Sequence, residues 1–135
     1  MCFKGRRREP PVLACMIKLL KFCTIPVSDQ DRALAFYTEK LGFKVSADQR
    51  FDESQRWIEL QIGNSATGVV LFTPPQHADR IGTHTGMSFK CDDLEKTYAA
   101  MVERGVEFLG PPRRESWGAS AQFKDPDGNL FVMSE

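Results

Sequence analysis

The sequence has no excess charge of either sign, since 18 lysines and arginines balance 18 aspartates and glutamates. General affinity for nucleic acid or an anionic membrane needs a sustained cationic surface, so this balance argues against both partners. Cysteine is scarce, and the four residues at positions 2, 15, 23 and 91 form no CxxC pair. Disulfides and thiolate metal sites are therefore disfavoured, and reduced, buried thiols predict a cytoplasmic location.

Long apolar runs are also lacking. Pro10 and Pro11 follow the arginine-rich stretch, and Lys18 and Lys21 interrupt what would be the apolar part of an export signal. No nucleophile elbow, phosphate loop or Ser-His-Asp order is present, so hydrolase and nucleotide-binding functions have little support.

The 135 residues, 41% of them hydrophobic, suffice for one domain and are too few for two independent cores. We expect residues 1–15 to form a loose N-terminal extension, with Met16 as a second candidate for the natural start. Residues 16–135 are then the domain, divided into module one (about 17–73), a linker (74–85) and module two (86–135).

One pattern occurs twice: an apolar strand, an Asp-led helix closed by glycine, and short strands. Asp29 of the first copy matches Asp93 of the second, and Gly42 matches Gly105. Asp favours the start of a helix and Gly its end. Because neither copy can bury a core alone, we expect them to pack side by side, with a ligand site between them.

Alternation predicts strands in the order βαβββ, twice, which is an α+β fold. KDPDGN (124–129) predicts the turn of a hairpin between the last two strands. One alternating set should face the helices: Cys23, Ile25, Ile58, Leu60, Ile62, Met87, Phe89, Phe131 and Met133. The opposite set should line a concave face: Phe22, Thr24, Trp57, Glu59, Gln61, Ser88, Lys90, Ser120, Gln122, Leu130, Val132 and Ser134.

VSDQDRALAFYTEKLGF, its weaker copy CDDLEKTYAAMVERGV and the late segment FKDPDGNLFVM resemble the vicinal oxygen chelate superfamily. That group includes glyoxalase I, bleomycin-resistance proteins and extradiol dioxygenases, and the resemblance covers residues 17–135. It implies paired βαβββ modules whose sheets curve around a cleft, in which the enzymes hold a divalent metal through His and Glu. Since members commonly dimerise, it also implies a homodimer.

Apolar residues occupy the positions that the resemblance assigns to the metal ligands. They are Phe22, Val69 or Val70, Gly86 or Met87, and Val132. None offers the imidazole, carboxylate or thiolate that a divalent metal requires, so we expect no metal or other cofactor. Glyoxalase and dioxygenase activities depend on the metal as a Lewis acid and are accordingly disfavoured.

A metal site built from residues at other positions of the chain has little support in the sequence. His77 and His84 lie seven residues apart in the linker, so surface or loop-packing roles are favoured over ligation, with Glu59 and Glu115 as the only other nearby candidates. Cys23 is expected in the core.

Our first hypothesis is a metal-independent protein that binds or sequesters a small molecule, aromatic or anionic, without catalytic residues. The expected ligand-binding residues are Phe22, Trp57, Glu59, Lys90, Trp117, Gln122 and Val132. The alternative is a glyoxalase-type lyase or isomerase, with a relocated metal or with Lys90 and Glu59 as acid and base. A third hypothesis is a structural role with a vestigial cleft.

Overall fold

The computed structural model describes residues 15–76 and 78–135. It confirms the predicted α+β class, with the order βαβββ in the first half and the same order with one additional short strand in the second. The elements are β1 (Phe22–Pro26), α1 (Gln30–Ala35), a π-helical turn (Phe36–Lys40), β2 (Lys44–Arg50), β3 (Arg56–Gln61), β4 (Gly68–Phe72), a 3-10 turn (Ala78–Arg80), β5 (His84–Lys90), α2 (Leu94–Glu103), β6 (Glu107–Phe108), β7 (Arg113–Glu115), β8 (Gly118–Lys124) and β9 (Leu130–Ser134). Except for Cys15, the predicted extension lies outside the described residues, as does His77. Among the described residues, no helix is both long and apolar enough to cross a membrane.

Some predicted boundaries differ from the observed ones, and strand pairing gives the reason. The first strand is predicted over residues 18–26, whereas β1 begins at Phe22, because its partner β4 begins at Gly68, directly opposite Phe22. His84 was predicted in the linker but is the first residue of β5, where it pairs with Leu130 of β9. The second module also contains an unpredicted short strand, β7, which pairs with β8.

The two helices begin at the predicted aspartates. The carboxylate of Asp29 accepts a hydrogen bond from the backbone N–H of Arg32 at 3.0 Å, and Asp93 accepts one from Lys96 at 3.1 Å. Each carboxylate satisfies a backbone donor that has no partner within its helix.

The ends of the helices meet and cap each other. Lys40 Nζ donates to the backbone oxygen of Arg104, and Arg104 Nη1 donates to that of Lys40 at 3.1 Å. The predicted glycines follow, Gly42 with a φ of 80° and Gly105 with a φ of 90°, in the left-handed region that favours glycine. This reciprocal contact joins the two modules at equivalent positions, as packing of a duplicated unit requires.

Each module forms its own sheet. The first has the strand order β1-β4-β3-β2, and the second has the order β5-β9-β8-β6, with β7 also paired to β8. β8 and β9 form the predicted antiparallel hairpin. β1 and β5 each lie at an edge of their sheet, and within residues 15–76 and 78–135 no strand pairing joins the two sheets. Both edges therefore keep unpaired backbone groups.

The two sheets share one apolar core. The ring of Tyr37 stacks on Phe43 and meets Phe131 of the second sheet edge-on, with centroids 5.9 and 6.2 Å apart. Of the nine residues predicted to face the helices, all but Cys23 belong to this core or pack against it. Because both sheets turn one face to a common core, their other faces point away from it.

A buried polar cluster joins the modules at the turn between β8 and β9. Asp125 is 5% exposed and Asn129 is fully buried. Asp125 Oδ2 accepts hydrogen bonds from the Tyr37 hydroxyl at 2.6 Å and from Asn129 Nδ2 at 2.8 Å. Asn129 Nδ2 also donates to the backbone oxygen of Pro26, and Asn129 Oδ1 accepts from the N–H of Gly82. The cluster thus connects β1, the first helix and the segment before β5, with its buried polar groups satisfied.

Tyr37 should make stability fall at alkaline pH. Burial, then the negative charge of Asp125 and the hydrogen bond to it, raises the pKa of Tyr37 well above its ordinary value. In the unfolded chain the hydroxyl ionises near pH 10, while the folded chain keeps the proton. This stabilisation is fully present below about pH 10 and is lost above it, by up to about 1.4 kcal/mol per pH unit. Denaturant titrations from about pH 9 to 12 measure the free energy of unfolding, which should fall with pH in the wild type and not in Tyr37→Phe. The same fall with pH in both proteins would contradict the prediction.

Candidate functional site

The first sheet carries an open face turned away from the core, formed by Phe22, Thr24, Trp57, Glu59 and Val70, which we call the aromatic face. Thr24 pairs with Val70, which pairs in turn with Glu59. Directly paired residues project to the same side of a sheet. Strand pairing therefore places Val70, and not its neighbour in the sequence, on the side of Phe22.

Two aromatic rings form the centre of this face. Phe22 meets Trp57 edge-on, with ring centroids 5.5 Å apart and an interplanar angle of 80°. Trp57 Nε1 donates to Glu59 Oε1 at 3.3 Å, which orients the indole. Val70, on the strand between β1 and β3, is fully buried. The result is a preorganised apolar surface beside one carboxylate, suited to a flat ligand.

The second sheet carries a more polar open face, formed by Ser88, Lys90, Gln122, Val132 and Ser134, which we call the polar face. Ser88 pairs with Val132, which pairs with Gln122, and Lys90 pairs with Ser134. Lys90 is exposed, and no carboxylate of the described residues lies within ion-pair distance of it. Lys90 is thus available to an anionic group.

Arg56, next to Trp57 on β3, is already neutralised. Its guanidinium donates to Asp48 at 3.0 and 2.9 Å and to Asp31 at 2.7 Å. These two carboxylates raise the pKa of Arg56 further above its ordinary value, and Arg56 lowers the pKa of Asp48. A ligand on the aromatic face would therefore find little free positive charge at this position.

The predicted ligand-binding residues are spread over several cavities of the chain. Trp57 lines a small one of about 100 Å³, Glu59 one of about 290 Å³ and Gln122 one of about 220 Å³. Lys90 lines the largest, of about 720 Å³. None of these four cavities, all formed by residues 15–76 and 78–135, is lined by both Trp57 and Lys90.

The other three predicted residues lie outside these cavities. Phe22 and Val132 are half-buried on the two open faces. Trp117 is 70% exposed in the turn between β7 and β8. A single chain thus presents the predicted residues on two separate faces.

The largest cavity separates the two edge strands. Cys23 and Val69 border it from the first sheet, and Met87 and Phe89 border it from β5. Leu20 and the β3–β4 turn, including Asn64, complete the wall. We did not predict these turn residues as part of a site, because nothing in a short polar turn indicates which strand edge it will adjoin.

No group of three or more His, Cys, Asp or Glu side chains is arranged to hold a metal ion in the described part of the chain. At the predicted ligand positions, Gly86 lies on the exposed side of β5, whereas Met87 packs against the core. Glu115 pairs with Arg113 at 3.4 Å. His84 Nδ1 accepts a hydrogen bond from the backbone N–H of Gly86 at 2.9 Å. The residues present at these positions do not fit a divalent metal.

Comparison with protein families gives one match over most of the chain. Residues 19–133 match the family described as the Glyoxalase/Bleomycin resistance protein/Dioxygenase superfamily. The protein YetH of Bacillus subtilis (strain 168) is 36% identical over 120 residues, covering 89% of this chain and 100% of YetH.

Two solved structures share the fold. A member of the same superfamily from Sphaerobacter thermophilus DSM 20745 has a TM-score of 0.82 and 36% identity, covering 89% of this chain and 98% of its own. TnmS3, an antibiotic binding protein from Streptomyces sp. CB03234, has a TM-score of 0.79 and 33% identity, covering 88% of this chain and 96% of its own.

Proposed function

The chain belongs to the glyoxalase/bleomycin resistance protein/dioxygenase superfamily, and from this premise we propose that it binds and sequesters a small molecule without a metal ion. The observation that carries the proposal is the apolar character of the positions that the family resemblance assigns to the metal ligands, which are Phe22, Val69 or Val70, Gly86 or Met87, and Val132. In place of a metal site, Phe22 forms an aromatic surface with Trp57. The likeness to an antibiotic binding protein supports a binding function.

The proposed ligand is planar or anionic. A flat apolar group would pack on Phe22 and Trp57, while Lys90 of the polar face would attract an acidic group. The free thiols of Cys15, Cys23 and Cys91 agree with the reducing cytoplasm as the location. A panel of aromatic, anionic and glycopeptide-type compounds, screened by tryptophan fluorescence, tests the proposal. We expect at least one saturable binder, and the absence of any, with no thermal stabilisation, would favour a structural role.

We also propose that the ligand cleft is completed in a homodimer. The aromatic face and the polar face point away from the shared core, so one chain does not bring Trp57 and Lys90 to one cavity. Both edge strands beside the largest cavity have one side without a strand partner, and Leu20 at the rim of the cavity is 62% exposed. A second copy that covers these edges would place its polar face opposite the aromatic face of the first.

Leu20→Glu should therefore weaken self-association. A carboxylate at this rim would be buried without a partner in the dimer, and we expect association at least about tenfold weaker. Sedimentation velocity over a range of concentrations measures the change. Val102→Glu, at an exposed position of α2, is the matched control and should dimerise like the wild type. A wild-type chain that stays monomeric throughout would contradict the proposed dimer.

Metal removal should have no effect. Purified protein should contain no stoichiometric Ni, Zn, Fe or Mn, and EDTA should leave its melting temperature unchanged, because the residues at the ligand positions cannot bind such ions. Elemental analysis and thermal melts measure both quantities. About one bound metal per chain would overturn the metal-independent function and favour the lyase or isomerase.

A further inference from the structure

A small polar pocket lies where β1 ends and β5 begins, at the opposite end of these strands from the large cavity. Its volume is about 70 Å³, which suits a group of a few atoms and not a whole drug-sized ligand. No Asp or Glu of the described residues lines it. The lining residues are Thr24, Pro26, Arg80, Thr83, His84 and Thr85.

The pocket is rich in hydrogen-bond donors. The guanidinium of Arg80 has no ion-pair partner among the described residues. His84 Nδ1 accepts from the backbone N–H of Gly86, so the ring keeps Nε2–H as its remaining donor. The hydroxyl of the half-buried Thr24, which also lines the pocket, is a further donor. An arginine, an imidazole and a hydroxyl around a small space favour an oxyanion.

The segment that carries Arg80 is held in place before any ligand binds. The hydroxyl of Thr83 donates to the backbone oxygen of Arg80 at 2.8 Å, and the N–H of Ile81 donates to Ala78 at 3.1 Å. The N–H of Gly82 donates to Asn129 Oδ1 at 2.7 Å, which ties the segment to the buried polar cluster. A preorganised segment loses little conformational freedom on binding.

We propose that this pocket binds one acidic group, a carboxylate or a phosphate, of the ligand on the aromatic face, and that Lys90 attracts acidic groups at other positions of the ligand. Thr24 lies two residues beyond Phe22 on the same face, a separation of about 7 Å along the strand. A planar ring on Phe22 and Trp57 could therefore extend its acidic group to Arg80. This inference rests on the proposed function and names its ligand class, a flat aromatic acid.

Titration with small anions, followed by NMR of the His84 ring, tests the pocket directly. The probes are inorganic phosphate and acetate, with sodium chloride at matched ionic strength as the reference. The sequence contains two histidines, so His84→Gln identifies which ring signals belong to His84. We expect saturable shifts with phosphate or acetate and none with chloride, and the anion that saturates at the lower concentration identifies the preferred acidic group.

Arg80→Gln should weaken this binding about tenfold or more, because it removes the charge-assisted hydrogen bonds. Arg50→Gln, at an exposed arginine of β2, is the matched control and should bind like the wild type. The inference would be overturned if Arg80→Gln bound phosphate and acetate as tightly as the wild type does. It would also be overturned if chloride shifted the His84 signals as phosphate and acetate do. If a neutral planar compound binds while phosphate and acetate do not, the inference fails and the proposed binding function stands.

Discussion

Replacing Asp125 by Ala is expected to lower the free energy of unfolding by about 3 kcal/mol, because several hydrogen-bond donors lose their acceptor at once. Its Oδ1 accepts from the backbone N–H groups of Asp127 and Asn129, and its Oδ2 accepts from the Tyr37 hydroxyl and Asn129 Nδ2. The substitution leaves those buried donors without partners. It also weakens the connection between the modules.

Urea titrations followed by circular dichroism measure this loss. Asp125→Asn keeps the shape and one acceptor oxygen, so we expect a smaller loss than for alanine. Asp79→Ala, at an exposed aspartate outside the cluster, is the control and should change stability by less than about 0.5 kcal/mol. A loss below about 1 kcal/mol in Asp125→Ala would mean that the cluster adds little to stability.

Trp57→Ala should weaken binding of a planar ligand by roughly 1 to 3 kcal/mol, about 5- to 150-fold in Kd. The indole is oriented by Glu59 and contacts Phe22, so it offers a large contact area at low entropic cost. Isothermal titration calorimetry with a compound found in the fluorescence screen measures the affinity of both proteins.

Lys90→Ala separates charge from stacking in the same assay. It should weaken the binding of anionic compounds and leave the binding of neutral planar compounds nearly unchanged, because only the anionic compounds interact with the ammonium group. Val102→Ala removes exposed apolar surface from α2, away from both open faces, and should not alter affinity. If neither Trp57→Ala nor Lys90→Ala changed the affinity for a ligand, the binding site would lie elsewhere.

Local patterns sufficed for both helices, for all strands except β7 and for the sides of most strand residues. Asp29 and Asp93 carry their own capping chemistry, so both helix starts could be predicted from residue type. Alternation likewise placed Ile58 and Leu60 in the core, because strand side chains alternate between two faces whatever their neighbours.

The edges of elements were less predictable because they depend on distant partners. β1 does not include the predicted residues before Phe22, because β4 has no residues opposite them. β5 includes His84, which was predicted in the linker, because Leu130 pairs with it. Neither fact follows from the local sequence. The same holds for β7, which forms by pairing with β8.

By itself, the sequence determined the duplicated βαβββ order, the helix caps and the family, because capping, alternation and motif spacing are local properties of the chain. Tertiary structure alone decided that both sheets turn their apolar sides to one core, which sends Trp57 and Lys90 to different faces. It also decided that Thr24 and Arg80 line one pocket, since residues 56 positions apart meet only when the edges of two sheets pack together.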